Sequence, residues 1–163
     1  MDIITVTGNQ THFNEKKFSI FHGRDGFTDD TVEGDMMTPT GTYKLLNIYY
    51  RPDKNKQPDT TIPCHKITQN MGWCDDPEHP LYNQLVQLPF SASHEIMHRD
   101  DDLYDIVVEI SQNQKPIVPY KGSAIFLHTK SEGKVYTAGC IAFDKDDLVW
   151  ILENANIDTV INI

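Results

Sequence analysis

Two side chains in the last third of the chain carry the most reactive chemistry. His128 closes the run Gly122-Ser123-Ala124-Ile125-Phe126-Leu127-His128-Thr129, and Cys140 sits in Tyr136-Thr137-Ala138-Gly139-Cys140-Ile141-Ala142. An imidazole that removes a thiol proton yields a thiolate–imidazolium nucleophile suited to acyl transfer. Taken alone, the residue types equally suit a satisfied histidine at a strand end and a cysteine used as a small buried hydrophobe. Spacing does not decide between them. A tight hairpin centred on Ser131 to Gly133 would set His128 opposite Tyr136 and leave Cys140 on the order of 13 Å further along at strand rise. Contact requires the chain to double back after Tyr136, and the small residues Thr137-Ala138-Gly139 permit that.

Other constellations compete. His94-Glu95-Ile96-Met97-His98 matches the H-E-x-x-H pattern in which two histidines on one helix face bind zinc. Arg99-Asp100-Asp101-Asp102 follows at once, and Ser91-Ala92-Ser93 leaves little helix upstream, so the context opposes a catalytic zinc. Cys64, His65, Cys74 and His79 supply four N/S ligands for a structural zinc, but adjacent ligands are awkward and no C-x-x-C knuckle is present. The polar stretch from His22 to Thr38, with Gly23, Gly26 and Gly34, is long enough to be either functional or disordered. It lacks the lysine and the strand-to-helix setting of a phosphate loop. No metal and no cofactor is expected. Trp73, in Met71-Gly72-Trp73-Cys74-Asp75-Asp76-Pro77, fits a cleft wall and a core plug beneath a turn equally well.

The elements that must position these residues are mostly strands. Residues 3–7, 17–21, 43–51, 105–111, 123–128, 136–143 and 160–163 are short, β-branched or aromatic runs separated by turn chemistry. One helix is expected near the C-terminus, with Asp144 as N-cap, Asp147 as its acidic partner, and Leu148, Ile151 and Leu152 on one face. The fold class is therefore mainly β with one helix. A chain of 163 residues without internal repeat or composition break reads as a single domain, residues 1–163.

Bulk properties exclude several functions. A formal charge of −10, from 24 acidic and 14 basic residues without a basic cluster, opposes nucleic acid as a partner. No apolar run approaches the ~20 residues of a membrane span. The start, Met1-Asp2-Ile3-Ile4-Thr5-Val6, has no secretory character, so either a cytoplasmic protein or a chain beginning after a removed leader is expected. Among three cysteines, Cys64 and Cys74 can pair in an oxidising compartment and leave Cys140 free.

Together these segments resemble the YkuD-like L,D-transpeptidase catalytic domain of cell-wall cross-linking. The resemblance rests on Glu33-Gly34-Asp35 with Thr38-Pro39-Thr40-Gly41-Thr42-Tyr43, and on Gly72-Trp73-Cys74-Asp75-Asp76-Pro77 with Tyr82-Asn83. Ser93-His94-Glu95 leading to Leu103-Tyr104-Asp105 adds to it, and most specific is Gly122–His128 followed by Thr137-Ala138-Gly139-Cys140. It implies mixed β-sheets in a sandwich- or barrel-like arrangement, Cys140 as nucleophile and His128 as its base. It further implies that the Thr129 carbonyl orients the imidazole, that backbone N–H groups at Gly139 and Cys140 form an oxyanion hole, and that Trp73, Tyr82, His94 and Ala138 contact substrate. The implied partners are peptidoglycan stem peptides, handled by a monomer in the periplasm or cell envelope. Many members carry Ser/Thr-His-Gly-Cys with Asn or Arg two residues later; here Thr137-Ala138-Gly139-Cys140-Ile141-Ala142 lacks that histidine and that polar residue. The implied activity is transfer of an acyl group to an amine. Trimming by water at the same site and a non-catalytic wall-binding module are the alternatives.

Overall fold

A computed structural model describes residues 2–163. Its strands are β1 (Ile3–Thr7), β2 (Gln10–Phe13), β3 (Lys16–Phe21), β4 (Phe27–Thr28), β5 (Thr38–Pro39), β6 (Thr42–Tyr50) and β7 (Cys64–Lys66). They continue with β8 (Met71–Cys74), β9 (Leu85–Gln87), β10 (His94–Ile96), β11 (Ile106–Ile110), β12 (Phe126–Thr129), β13 (Ile141–Phe143) and β14 (Val160–Asn162). A helix, α1 (Lys145–Asn154), lies between β13 and β14.

The main sheet runs β11-β12-β13-β3-β2-β1-β14-β6-β7, and a further β11–β6 pairing closes it on itself like a barrel. The nine-residue β6 makes closure possible. It pairs with β14 through Thr42 to Lys44 and with β11 through Leu45 to Tyr50. Parallel pairs, β1–β14 and β12–β13 among them, sit beside antiparallel ones, so the sheet is mixed. The fold is thus mainly β with one helix near the C-terminus.

Period-two alternation divides the buried residues into two clusters. Ile48, Ile106, Val108, Leu127, Ile141 and Phe143 point inward with Leu148, Ile151 and Leu152 of α1. Tyr49, Val107, Phe126 and Cys140 point to the opposite face, where they meet Trp73, Met97 and Tyr104. The small sheet β10-β8-β9 lies on that side. β11 is therefore buried on both faces, which explains the apolar run Ile106-Val107-Val108; Glu109, buried with them, accepts from Asn47 Nδ2 at 2.8 Å.

Three expectations are corrected. The predicted strand over 123–128 survives only as Phe126–Thr129, because Gly122 and Ala124 adopt φ of +95° and +52° and break the extended chain. The strand over 136–143 shrinks to Ile141–Phe143. Asp144 occupies the N-cap position of α1 without a side-chain cap; its carboxylate instead accepts from Lys130 Nζ at 2.9 Å. No helix among the described residues is long and apolar enough to cross a membrane.

Candidate active site

β12 and β13 do not form a hairpin. They run parallel, with Leu127 opposite Ile141 and His128 opposite Ala142. Residues 130–140 form the crossover that parallel pairing demands, carried here by irregular chain. One stop along it is a bridge between Thr137 and Gly23. Parallel register puts Cys140, two positions before Ala142, on the same face as His128. From strand spacing and rise, their Cα atoms lie about 8 Å apart. Both side chains line one cleft of about 680 Å³.

His128 is 2% exposed. Its Nδ1 lies 2.8 Å from the carbonyl oxygen of Thr129, which can only accept, so Nδ1 carries the proton and Nε2 the lone pair. Nε2 makes no hydrogen bond among the described residues. Thr129 is itself anchored by its hydroxyl, which donates to the carbonyls of Asp102 and Leu103 at 2.5 and 3.1 Å. Burial lowers the imidazole pKa to about 4, against the raising influence of the Thr129 carbonyl.

Cys140 is 8% exposed. Its Sγ accepts from the Phe126 N–H at 3.3 Å, and its S–H donates to the Ala124 carbonyl at 3.1 Å. Burial pushes the thiol up to about 12, with the Glu95 carboxylate adding to the rise. No hydrogen bond joins Sγ to His128 among the described residues. The resting pair is therefore a neutral thiol and a neutral imidazole, and the thiolate–imidazolium pair is not preformed.

The turn before Cys140 has demanding geometry. Gly139 adopts φ of +145°, and a Cβ there would lie 2.9 Å from the Met37 carbonyl oxygen. Only glycine fits. The Gly139 N–H donates to Thr137 Oγ1 at 3.0 Å, and the Thr137 hydroxyl donates to the Cys140 carbonyl at 2.6 Å. With the Gly139 N–H occupied, the N–H of Cys140 is the one left without a hydrogen-bond partner among the described residues.

The stretch from His22 to Thr38 is ordered and walls the site. Asp35 accepts from the N–H groups of Val32 and Met37, and Thr38 Oγ1 accepts from the Gly23 N–H. A second, smaller lobe of about 90 Å³ opens between this segment and Ser123–Ile125. Cys140, Ala138 and Glu95 line both lobes. Two carboxyls mark the small lobe. Glu33 accepts from Ser123 Oγ at 3.0 Å and from the Tyr82 hydroxyl, whereas Glu95 accepts from the Tyr104 hydroxyl. Burial raises the pKa of both above the usual carboxylate range.

His94 and Ala138 line the large lobe. Trp73 and Tyr82 do not reach either lobe: each is 2% exposed and supports the site from behind. Trp73 Nε1 donates to Asn83 Oδ1 at 3.0 Å, and the same oxygen accepts the Ala124 N–H at 3.0 Å. The indole therefore braces, through Asn83, the strained residue whose carbonyl holds the thiol. Glu95, Tyr104 and Arg99 line the cleft without having been assigned roles from sequence. Glu95 was visible, without a role, inside the family segment Ser93-His94-Glu95 and inside the zinc-like pattern. That pattern is dissolved by β10, which makes His94-Glu95-Ile96 a strand and removes the single helix face that paired histidines need. Cys64 and Cys74 are free thiols.

No curated protein and no solved structure matches the chain. The family model for the L,D-transpeptidase catalytic domain, YkuD, matches residues 3–163. A match over essentially the whole length, on a barrel-like sheet that brings a cysteine and a histidine to one cleft, places this chain in the L,D-transpeptidase catalytic domain family.

Proposed function

We propose that the chain is one catalytic domain that transfers acyl groups between peptidoglycan stem peptides through a thioester on Cys140, in the cell envelope. The observation that carries the reading is the parallel β12–β13 pair, which sets Cys140 and His128 on one wall of a cleft of about 680 Å³. The donor stem lies in the large lobe with its scissile carbonyl over Cys140. Arg99 and Lys134, both on that lobe, attract the terminal carboxylate of the departing D-alanine.

The cycle begins when the Cys140 side chain swings from the Ala124 carbonyl toward His128. Nε2 takes the thiol proton as Sγ attacks the carbonyl of the L-centre of the diamino acid. The Cys140 N–H faces the developing oxyanion. Nε2 then returns its proton to the leaving amine, D-alanine departs, and an amine or water resolves the thioester. Because both groups rest neutral, proton transfer accompanies attack and no free thiolate accumulates beforehand.

Incubation of the purified protein with tetrapeptide muropeptides, followed by mass spectrometry, tests the reading. Release of D-alanine with cross-linked or trimmed products, abolished in C140A, is expected. Turnover retained in C140A rules out the thiol mechanism, whereas muropeptide binding without any wild-type turnover identifies a wall-binding module.

A further inference from the structure

Cys140 is reached from two sides, and one titratable group besides the thiol itself belongs to both. Glu95 forms part of the wall of the large lobe with His128 and of the small lobe with Glu33. Its strand fixes it there: β10 pairs with β8, with Glu95 opposite Trp73. Of its two carboxylate oxygens, Oε2 accepts from the Tyr104 hydroxyl. Oε1 receives no hydrogen bond from any described residue. Glu33, by contrast, has both oxygens occupied, by Ser123 and Tyr82. The small lobe therefore contains one carboxylate held in place and one with a vacant acceptor beside the thiol.

The two arginine or lysine cations nearest the site, Arg99 and Lys134, line the large lobe and not the small one. The small lobe presents Glu33, Asp35 and Glu95 without a compensating cation among its lining residues. Such a compartment attracts a compact cation and repels a carboxylate.

We propose that Glu95 selects the acceptor: its free carboxylate oxygen receives the ammonium group of the incoming amine in the small lobe and takes one proton from it. This rests on the acyl-transfer reading and deepens it. The acceptor ammonium gives a proton to the Glu95 carboxylate and becomes a neutral amine. The amine nitrogen attacks the thioester carbonyl, forming the C–N bond. Its second proton passes through His128 Nε2 to Cys140 Sγ as the C–S bond breaks. The products are an amide, the free thiol and a protonated Glu95, which loses its proton to solvent. Burial supports the role, since a carboxyl raised above its usual range is a stronger base than a solvated one. The Tyr104 hydroxyl holds Oε2 and so keeps Oε1 turned to the acceptor side. Tyr104 is a positioning residue, while Glu95 touches the reacting amine.

The partition of a single thioester tests the assignment. Cross-linked and hydrolysed products both arise from the same acyl-enzyme, so their ratio depends only on steps after thioester formation and not on how much protein is folded. With a tetrapeptide donor and a second muropeptide bearing a free amine as acceptor, E95Q is expected to lower the ratio by about tenfold, the loss of one charged hydrogen bond. E95D is expected to restore at least part of it, and the acceptor concentration dependence should shift while the donor dependence does not. An unchanged ratio in E95Q overturns the proposal, as does loss of both products together, which would assign Glu95 to folding or to thioester formation. Absence of D-alanine release from the wild-type protein overturns the underlying acyl-transfer reading instead, and is read from the same spectra.

Discussion

Cys140 Sγ lies 3.1 Å from the carbonyl oxygen of Ala124, so the resting thiol is held by backbone and not by His128. Ala124 presents that carbonyl because its φ is +52°, a conformation costly for a residue with a side chain. The strain is sustained by Asn83, which binds the Ala124 N–H, and by Trp73 behind it.

The neutral thiol has a direct signature. With a pKa of about 12, Cys140 is expected to alkylate slowly near neutrality, its rate rising about tenfold per pH unit from pH 7 to 10 without a plateau. Iodoacetamide labelling, followed by mass spectrometry of the Cys140 peptide, checks this. A plateau below pH 9 would mean a preformed thiolate.

His128 makes stability depend on acid. Its folded pKa of about 4 lies below the ordinary 6.5, so between these values the unfolded chain binds more protons than the folded one. Stability therefore falls as pH drops through that window, by on the order of 3 kcal/mol in total. The buried carboxyls Glu33 and Glu95 have raised pKa values and act in the opposite sense, losing stability as pH rises through their own range. Urea unfolding of wild type and H128N between pH 4 and 7 isolates the histidine contribution, because the carboxyls are common to both. Equal pH slopes in the two proteins would refute it.

Gly139→Ala is expected to cost about 2 kcal/mol, from an unfavourable φ together with a Cβ pressed against Met37. The turn that carries Cys140 shifts with it, so D-alanine release should fall more than stability alone explains. Thermal unfolding and the muropeptide assay on one preparation measure both.

Trp73 supports the site without touching substrate. Trp73→Phe keeps most of the ring packing against Phe126 and Tyr49 but removes the N–H that Asn83 accepts. A loss of about 1 kcal/mol in stability is expected from the lost indole hydrogen bond, since Asn83 Oδ1 keeps the Ala124 N–H. Donor KM should stay within about twofold if no substrate contact is lost. A large rise in donor KM with stability unchanged would return Trp73 to the cleft wall.

The Glu33–Tyr82 contact ties the segment after His22 to the connection between β8 and β9. Tyr82→Phe and Glu33→Gln are each expected to destabilise by about 1–2 kcal/mol, and the double variant by less than the sum. Strict additivity in denaturant titrations would show that the two side chains are not coupled.

By itself the sequence determined the mainly β class but not β2 or the small sheet β10-β8-β9, and it determined the C-terminal helix face of Leu148, Ile151 and Leu152 and the residue types able to do acyl chemistry. These are local properties: alternation, helical spacing and turn residues act over a few positions. The family resemblance, carried by Gly122–His128 and Thr137–Cys140, was also legible there. Tertiary structure decided what local pattern cannot, beginning with the direction of β13. A hairpin and a parallel crossover satisfy the same apolar runs, and the choice depends on β3 pairing with the far edge of β13. That choice brings Cys140 to His128's face of the sheet. Burial then set the chemistry: the same two side chains that in water would titrate near neutrality rest uncharged, because the second core cluster excludes solvent from both. Glu95 became part of the site for the same reason, since its place beside Cys140 follows from β10 lying against β8 and from no pattern within its own segment.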